Sequence, residues 1–182
     1  MNLARTPLSA ALSAVLMTTV LLLAGAEPAD GELRQIRIIR VTDGDTLTAI
    51  PRTGDDKENA AAPVTIRLYG VDAPETDQPG GTQATEFVMS WLEGRTVVLR
   101  EYDRDWYGRI IGEVFSKSPE ERRSLNEALV YRGWAWWYRE YAPRDDTLAA
   151  LEAAALGATR GLWAAATPTP PWQRRRSVVI PN

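Results

Sequence analysis

Val64, Ile66 and Leu68 alternate with Thr65, Arg67 and Tyr69. This is the two-residue period of a half-buried strand, and it puts Arg67 on the face opposite the apolar row. Upstream, residues 36–41 are rich in β-branched side chains, and residues 46–50 resume that character after Asp43-Gly44-Asp45. Asp-Gly between two such runs predicts a tight turn between strands. Residues 51–63, polar with a proline at each end, read as a hairpin loop, and residues 77–82 as a flexible Gly- and Pro-rich loop. Ala84, Phe87, Val88 and Trp91 then fall at helical spacing, with Gly94 as the stop. Residues 96–99 and 109–115 form two further strands, the second entered through Tyr107-Gly108. Ser124-Leu125-Asn126-Glu127 fits a capping box opening a helix, with Leu125, Ala128 and Leu129 as its buried stripe and Gly133 beyond its end. An Ala-rich helix over 146–160 carries Leu148, Leu151 and Ala155 on one side, with Gly161 as its expected cap. Short strands in series with helices attached describe a small barrel of the α+β class, mainly β. There is no internal repeat and no second domain.

The first 26 residues follow a different pattern. Arg5 is their only charge, residues 8–24 are almost wholly apolar or small, and Ala24-Gly25-Ala26 supplies a small-x-small cleavage pattern ahead of a polar stretch. A cleaved signal peptide is the expectation, and an uncleaved membrane anchor the alternative. Either one places the domain outside the cytoplasm. The remainder divides into a short linker at 27–35, the barrel domain at 36–163 and a Pro/Arg-rich C-terminal tail at 164–182. The Arg174-Arg175-Arg176 run reads as solvated tail rather than as a phosphate clamp.

Composition narrows the chemistry. With 182 residues, 45% of them hydrophobic, the chain has enough apolar side chains for one core. It contains neither Cys nor His. Disulfides, thiolate nucleophiles, serine triads and His- or Cys-ligated metals are thereby excluded. Catalysis must run on carboxylates, Arg, Lys, Tyr, Ser, Thr or a metal held by oxygen, which favours a hard cation. The net charge of −3, about −4 once Arg5 is removed, is awkward for a nucleic-acid binder, whose usual footprint is basic.

Three clusters carry candidate chemistry, and each also has a plain structural reading. Asp43-Gly44-Asp45-Thr46 is either a simple turn or a source of metal ligands. In Arg67-Leu68-Tyr69-Gly70-Val71-Asp72-Ala73-Pro74-Glu75, a strand delivers Arg67 and then two acids at its end, either as a site or as an ion-paired strand end. Asp105-Trp106-Tyr107-Gly108-Arg109 is a hairpin turn that also opens a strand with an arginine. Together they supply oxygen ligands for a hard cation, a spare carboxylate and two guanidinium groups. That is a kit for phosphodiester cleavage: a divalent ion orients the phosphate, guanidinium forks bind its oxygens, and the spare carboxylate positions water.

These three stretches resemble, in order and wording, the staphylococcal nuclease-like (thermonuclease) family. Asn126-Glu127-Ala128-Leu129-Val130, Gly133 and Gly161-Leu162-Trp163 resemble that family's helical segments. The resemblance spans roughly residues 36–163. It implies a five-stranded OB-fold barrel with three helices and Ca2+-dependent hydrolysis of DNA and RNA. It further implies that Asp45, Asp72 and the main-chain carbonyl at Ala73 ligate calcium, and that Glu75 serves the attacking water. Arg67 and Arg109 match the two phosphate-binding arginines, Asp43 an acid near the metal that is not a ligand, and Tyr107 a tyrosine near the nucleotide's phosphate. The Ala73 position holds Thr in the founding enzyme, which matters little where a carbonyl is the ligand. The segment leading to Tyr107 is also shorter here than in that enzyme.

Trp134, Trp136 and Trp137 are expected to pack against the barrel, whereas Tyr138 and Tyr141 are substrate-side candidates. The acidic balance suits an enzyme better than a binder. A module that only binds depends on long-range attraction to phosphate, whereas a nuclease needs only a local positive site. The leading expectation is therefore an exported calcium-dependent nuclease. It is a monomer by default, with nucleic acid as substrate, no stable protein partner and no membrane contact after signal removal. The alternative is a catalytically silent OB-fold binding or scaffolding module.

Overall fold

The computed structural model describes residues 31–52, 61–92, 95–117 and 123–178. The signal segment, the middle of the 51–63 loop and Gly94 lie outside the described residues. Five strands close into a barrel: β1 (Glu32–Val41), β2 (Thr46–Pro51), β3 (Val64–Leu68), β5 (Thr96–Arg104) and β6 (Ile110–Phe115), in the order β1-β2-β3-β6-β5. The β3–β6 pair is parallel and the other barrel pairs are antiparallel. Outside the barrel, β4 (Val71–Asp72) pairs antiparallel with β7 (Trp136–Trp137). The helices are α1 (Gly81–Leu92), α2 (Leu125–Arg132), α3 (Asp146–Gly157) and α4 (Pro171–Val178), with a 3-10 turn at Gly161–Ala164. This is the five-stranded α+β barrel expected, with a fourth helix added.

Alternation builds the core. Ile36, Leu47, Ile66, Leu68, Leu99 and Ile110 point inward from the strands, and Val88 of α1 and Leu125 and Leu129 of α2 are buried with them. Each fully buried aliphatic side chain contributes on the order of 2 kcal/mol from its apolar surface. The expected capping box is present: the Ser124 side chain accepts from the Glu127 N–H, and the Glu127 side chain accepts from the Ser124 N–H.

Several boundaries differ from the sequence expectation. β1 runs back to Glu32, so residues 32–35 are strand rather than linker, because Glu32 to Arg37 pair with β5. The β5 partner extends likewise to Arg104. α1 opens at Gly81, inside the expected loop. α3 stops at Gly157 with Ala158 as its cap, so Gly161 does not cap it. Gly161 instead opens the 3-10 turn, and its neighbour Leu162 donates to the Gly133 carbonyl at 2.8 Å. A Cβ on Gly133 would lie 2.3 Å from the Arg160 carbonyl oxygen, so only glycine admits this approach. It seats the chain leading to α4 against the end of α2.

Candidate active site

The β1–β2 turn is built by its own acids. Asp43 Oδ1 accepts the Asp45 N–H at 2.9 Å, an Asx-type turn that fixes the loop. Gly44 then lets this loop sit directly on the next one: a Cβ there would lie 2.6 Å from the Ala73 Cβ and 2.9 Å from the Ala84 Cβ. Asp45 is consequently driven inward, 6% exposed. Its Oδ2 accepts the Ala73 N–H at 2.7 Å, and its Oδ1 accepts the Thr46 hydroxyl at 3.1 Å.

Strand β3 brings Arg67 to the same point. Nη1 of Arg67 donates to the Val71 carbonyl at 2.8 Å and lies 2.9 Å from Asp45 Oδ1. Nη2 donates to Asp72 Oδ1 at 2.8 Å. Asp72 is fully buried, held in the short β4 that hydrogen-bonds to β7. One guanidinium thus bridges two carboxylates from loops 27 positions apart in the chain, a geometry that the planar arginine fork suits and an ammonium does not. Glu75 follows the Pro74 bend, its N–H donating to Gln78 Oε1 at 2.8 Å, and its side chain stays about half exposed. The ion-paired strand end and the candidate site are therefore one object.

Its electrostatics favour an added cation. Burial pushes the Asp45 carboxyl up to about 7; Arg67 and the Ala73 N–H work against this, while Asp43 and Asp72 add to it. Asp43, Asp45, Asp72 and Glu75 bring four acids to the neighbourhood of one strand-borne guanidinium. Among the described residues no three carboxylates, imidazoles or thiols converge into a cluster able to hold a metal by themselves. What the neighbourhood offers is the buried Asp45 and Asp72 carboxylates and the half-exposed Glu75 beside them. All are hard oxygen donors, and all fit a calcium-class ion better than a thiophilic metal.

The other expected residues divide. Arg109 stands one residue ahead of β6, whose Ile111 is in register with Arg67. Its Nε pairs with Asp105 Oδ2 at 2.7 Å rather than with the acid cluster. Burial works to raise the Asp105 carboxyl, but hydrogen bonds from the Arg109 side chain and main chain outweigh it and hold Asp105 low. Tyr107 is exposed, with the Arg109 guanidinium 5.6 Å from its ring centre, beside a fully exposed Trp106. The main chain of Tyr138 bonds to Gly70, next to β4, and Asp72 is close enough to help raise its hydroxyl after burial and Glu140. Tyr141 is 67% exposed and 4.8 Å from Tyr138, ring centre to ring centre. Trp136 is buried, while Trp134 and Trp137 are partly buried against the core, as expected of packing residues.

Sequence reasoning missed α4. Trp172 stacks on Tyr138 with ring centres 5.5 Å apart and planes 7° from parallel. Arg174 pairs with Asp77, and Arg175 spans Asp72 and Glu75. At least two of the three arginines are therefore not solvated tail. The signal that could have shown this is Pro171 ahead of Trp172, since proline at the first helical position marks a helix start.

Comparisons with known proteins agree with this geometry. The model of the staphylococcal nuclease homologue family matches residues 65–165. A protein named "Uncharacterized endonuclease" from Escherichia coli is 38% identical over 136 residues, covering 75% of this chain and 81% of its own length. Protein ParB from Escherichia coli is 36% identical over 157 residues, 83% of this chain and 84% of its own. The probable staphylococcal-like nuclease CAN1 of Oryza sativa subsp. japonica is 37% identical over 111 residues, 61% of this chain but only 32% of the rice protein. With the closed barrel and its bridged acids, these matches place the chain in the staphylococcal nuclease homologue family, as a hydrolytic nuclease.

Proposed function

We propose that this nuclease is an exported, calcium-dependent enzyme that cleaves phosphodiester bonds of both DNA and RNA by attack of water. The observation that carries the reading is the Asp45–Arg67–Asp72 bridge, with Glu75 beside it on the same loop. Asp45, Asp72 and the Ala73 carbonyl are the residues that would hold the ion. When bound, calcium supplies charge neutralisation at the scissile phosphate and orients it for attack.

The chain's own groups do the rest. Glu75 is the carboxylate least committed to the fold, and its half-exposed position suits it to orient a water or take its proton. Arg67 is fixed by three contacts in the acid cluster, so it meets a phosphate already preorganised. Arg109, held by Asp105, presents a second guanidinium on the neighbouring strand. The exposed Tyr107 and Tyr141 offer hydroxyls and ring faces to the nucleotide, with Tyr138, stacked on Trp172, beside them, and stacking on such faces is tolerant of base identity. Export rests on the apolar segment ending at Ala24-Gly25-Ala26. A single site of this kind works in a monomer.

The test is digestion of single-stranded DNA and of RNA by purified wild type and Glu75→Gln, each with calcium and with a chelator. The expected result is cleavage only with calcium, reduced by orders of magnitude in the variant while nucleotide binding persists. Cleavage that is indifferent to both chelator and variant would refute the reading.

A further inference from the structure

Helix α4 lies beyond the residues matched by the family model, and its arginines have no part in the mechanism above. An eight-residue helix is marginal in water, so contacts must hold it in place. Those contacts lead to the catalytic carboxylates. Trp172 lies flat on Tyr138 and edge-on to Trp136, at 5.5 and 6.2 Å between ring centres. Arg174 pairs with Asp77, two residues past Glu75. One turn of chain beyond Trp172, Arg175 donates from Nη2 to Asp72 Oδ2 at 2.7 Å and from Nη1 to Glu75 Oε1 at 3.2 Å.

Both oxygens of Asp72 are thus engaged by guanidinium groups, Oδ1 by Arg67 and Oδ2 by Arg175. A cation that takes Asp72 as a ligand must compete with one of them. The two are not equivalent. Arg67 is 14% exposed, rooted in a barrel strand and bonded additionally to Val71 and Asp45. Arg175 is 43% exposed on a terminal helix. Arg175 is the one that can yield.

We propose that Arg175 is a positioning residue of this site: it holds the Asp72 and Glu75 carboxylates when no cation is bound and competes with the cation for Asp72, so that α4 sets the enzyme's cation affinity. This rests on the calcium reading given above. The physical basis is like-charge repulsion. A guanidinium within hydrogen-bond distance of the ligand carboxylate Asp72 and of Glu75 beside it opposes a divalent ion at the same place, even after solvent screening of a partly exposed side chain. Trp172 is the anchor that delivers it, since the aromatic stack on Tyr138 fixes where the helix stands over the acids.

The sign of the effect separates this role from a structural one. If Arg175 merely stabilised the site, its loss would loosen the acids and weaken cation binding. If it competes, its loss leaves four acids with one fewer counter-charge and tightens binding. The experiment is calorimetric titration of calcium chloride into chelator-stripped wild type, Arg175→Ala, Arg175→Lys and Trp172→Ala. The expected result is about ten-fold tighter calcium binding in Arg175→Ala, a similar gain in Trp172→Ala, and an intermediate value in Arg175→Lys, which keeps the charge but cannot span both carboxylates. Half-activating calcium in the nuclease assay falls in parallel. Measurable calcium binding by wild type with unchanged or weaker binding by Arg175→Ala would overturn the inference and leave the calcium reading standing. Absence of calcium binding in all four proteins would remove that reading, and this inference with it.

Discussion

The Asp45 carboxylate accepts the main-chain N–H of Ala73 at 2.7 Å, so the turn after β1 is tied to the strand end that carries Asp72 and Glu75. This bond does two things at once. It satisfies a main-chain donor at a buried position, and it carries an acid into a place where water cannot solvate it.

The consequence is a pH-dependent stability in chelator. Burial raises the folded-state value of Asp45 from 3.8 to about 7. A group whose folded value exceeds its unfolded one binds the extra proton in the folded state, so its stabilising effect is complete below pH 4 and is lost as pH rises through 7. Its contribution is on the order of 4 kcal/mol between those limits. Thermal unfolding in chelator is therefore expected to show a falling midpoint from pH 5 to pH 8, with calcium restoring stability at pH 8. Asp45→Asn should flatten this slope while lowering the overall level, because its amide leaves the Ala73 N–H without an acceptor when the –NH2 faces it.

Arg67 binds one oxygen on each of two acids, and the length and planarity of its fork make this possible. Arg67→Lys keeps the charge but can reach only one acid well. Initial rates at saturating calcium are expected to fall at least ~100-fold in this variant. Urea unfolding should show a smaller loss of stability for Lys than for Arg67→Ala, which removes the buried counter-charge shared by Asp45 and Asp72, leaves a cavity and costs about 3 kcal/mol. Equal stability losses in the two variants would mean that the charge at this position has no structural weight.

Much of this was legible in the chain, and the exceptions share a cause. The alternation through β3 placed Arg67 away from the apolar row, and its side chain indeed leaves the core to meet the acids. Asp-Gly marked the turn that holds Asp45, and the capping box marked the start of α2. These are local signals, written in neighbouring residues. The failures are non-local. Residues 32–35 are polar and become strand only because β5 pairs with them. Gly161 reads as a helix cap, yet its conformation is used for the turn that packs on Gly133. α4 carries three arginines and little apolar surface, and Tyr138, Trp136, Asp72, Glu75 and Asp77, far away in sequence, give it a place. Arg109 stands out in the sequence as a site candidate, but its pairing with Asp105 emerges only from the fold of the turn.

Gly44 offers a test of how closely the two acidic loops must approach. A methyl group there meets the Ala73 and Ala84 side chains well inside contact distance. The loops must separate by several tenths of an ångström, which costs about 1–3 kcal/mol for an overpacked position. The lost proximity of Asp45 to Ala73 should weaken calcium binding in Gly44→Ala, while Gly157→Ala, with no atom within 4 Å of the added Cβ and no left-handed backbone, leaves calcium binding near wild type. Calorimetry on the two variants gives the comparison directly, and similar calcium affinities would show that the contact at Gly44 is not what sets the acid geometry.

Substrate affinity without calcium follows from the charge distribution. The chain carries a net −3, and four of its acids stand at the site itself. Of the two arginines assigned to phosphate, Arg67 is already bonded to Asp45 and Asp72, and Arg109 to Asp105. A strand entering in chelator meets repulsion from the acids and at most three guanidinium groups at the site, these two and Arg175, each of which must leave or share its carboxylate. Single-stranded DNA binding under these conditions should be weak, with a dissociation constant above ~10 μM and a log–log salt slope no steeper than about −2.1, the value for three phosphate contacts on a single strand. Fluorescence anisotropy with a labelled oligonucleotide between low and moderate salt measures both quantities. Adding calcium to Glu75→Gln, which binds without cleaving, should tighten the complex several-fold. Nanomolar binding in chelator with a steep salt slope would instead identify a basic surface outside this site as the principal contact, and the local balance of acids, arginines and cation would not be what holds the substrate.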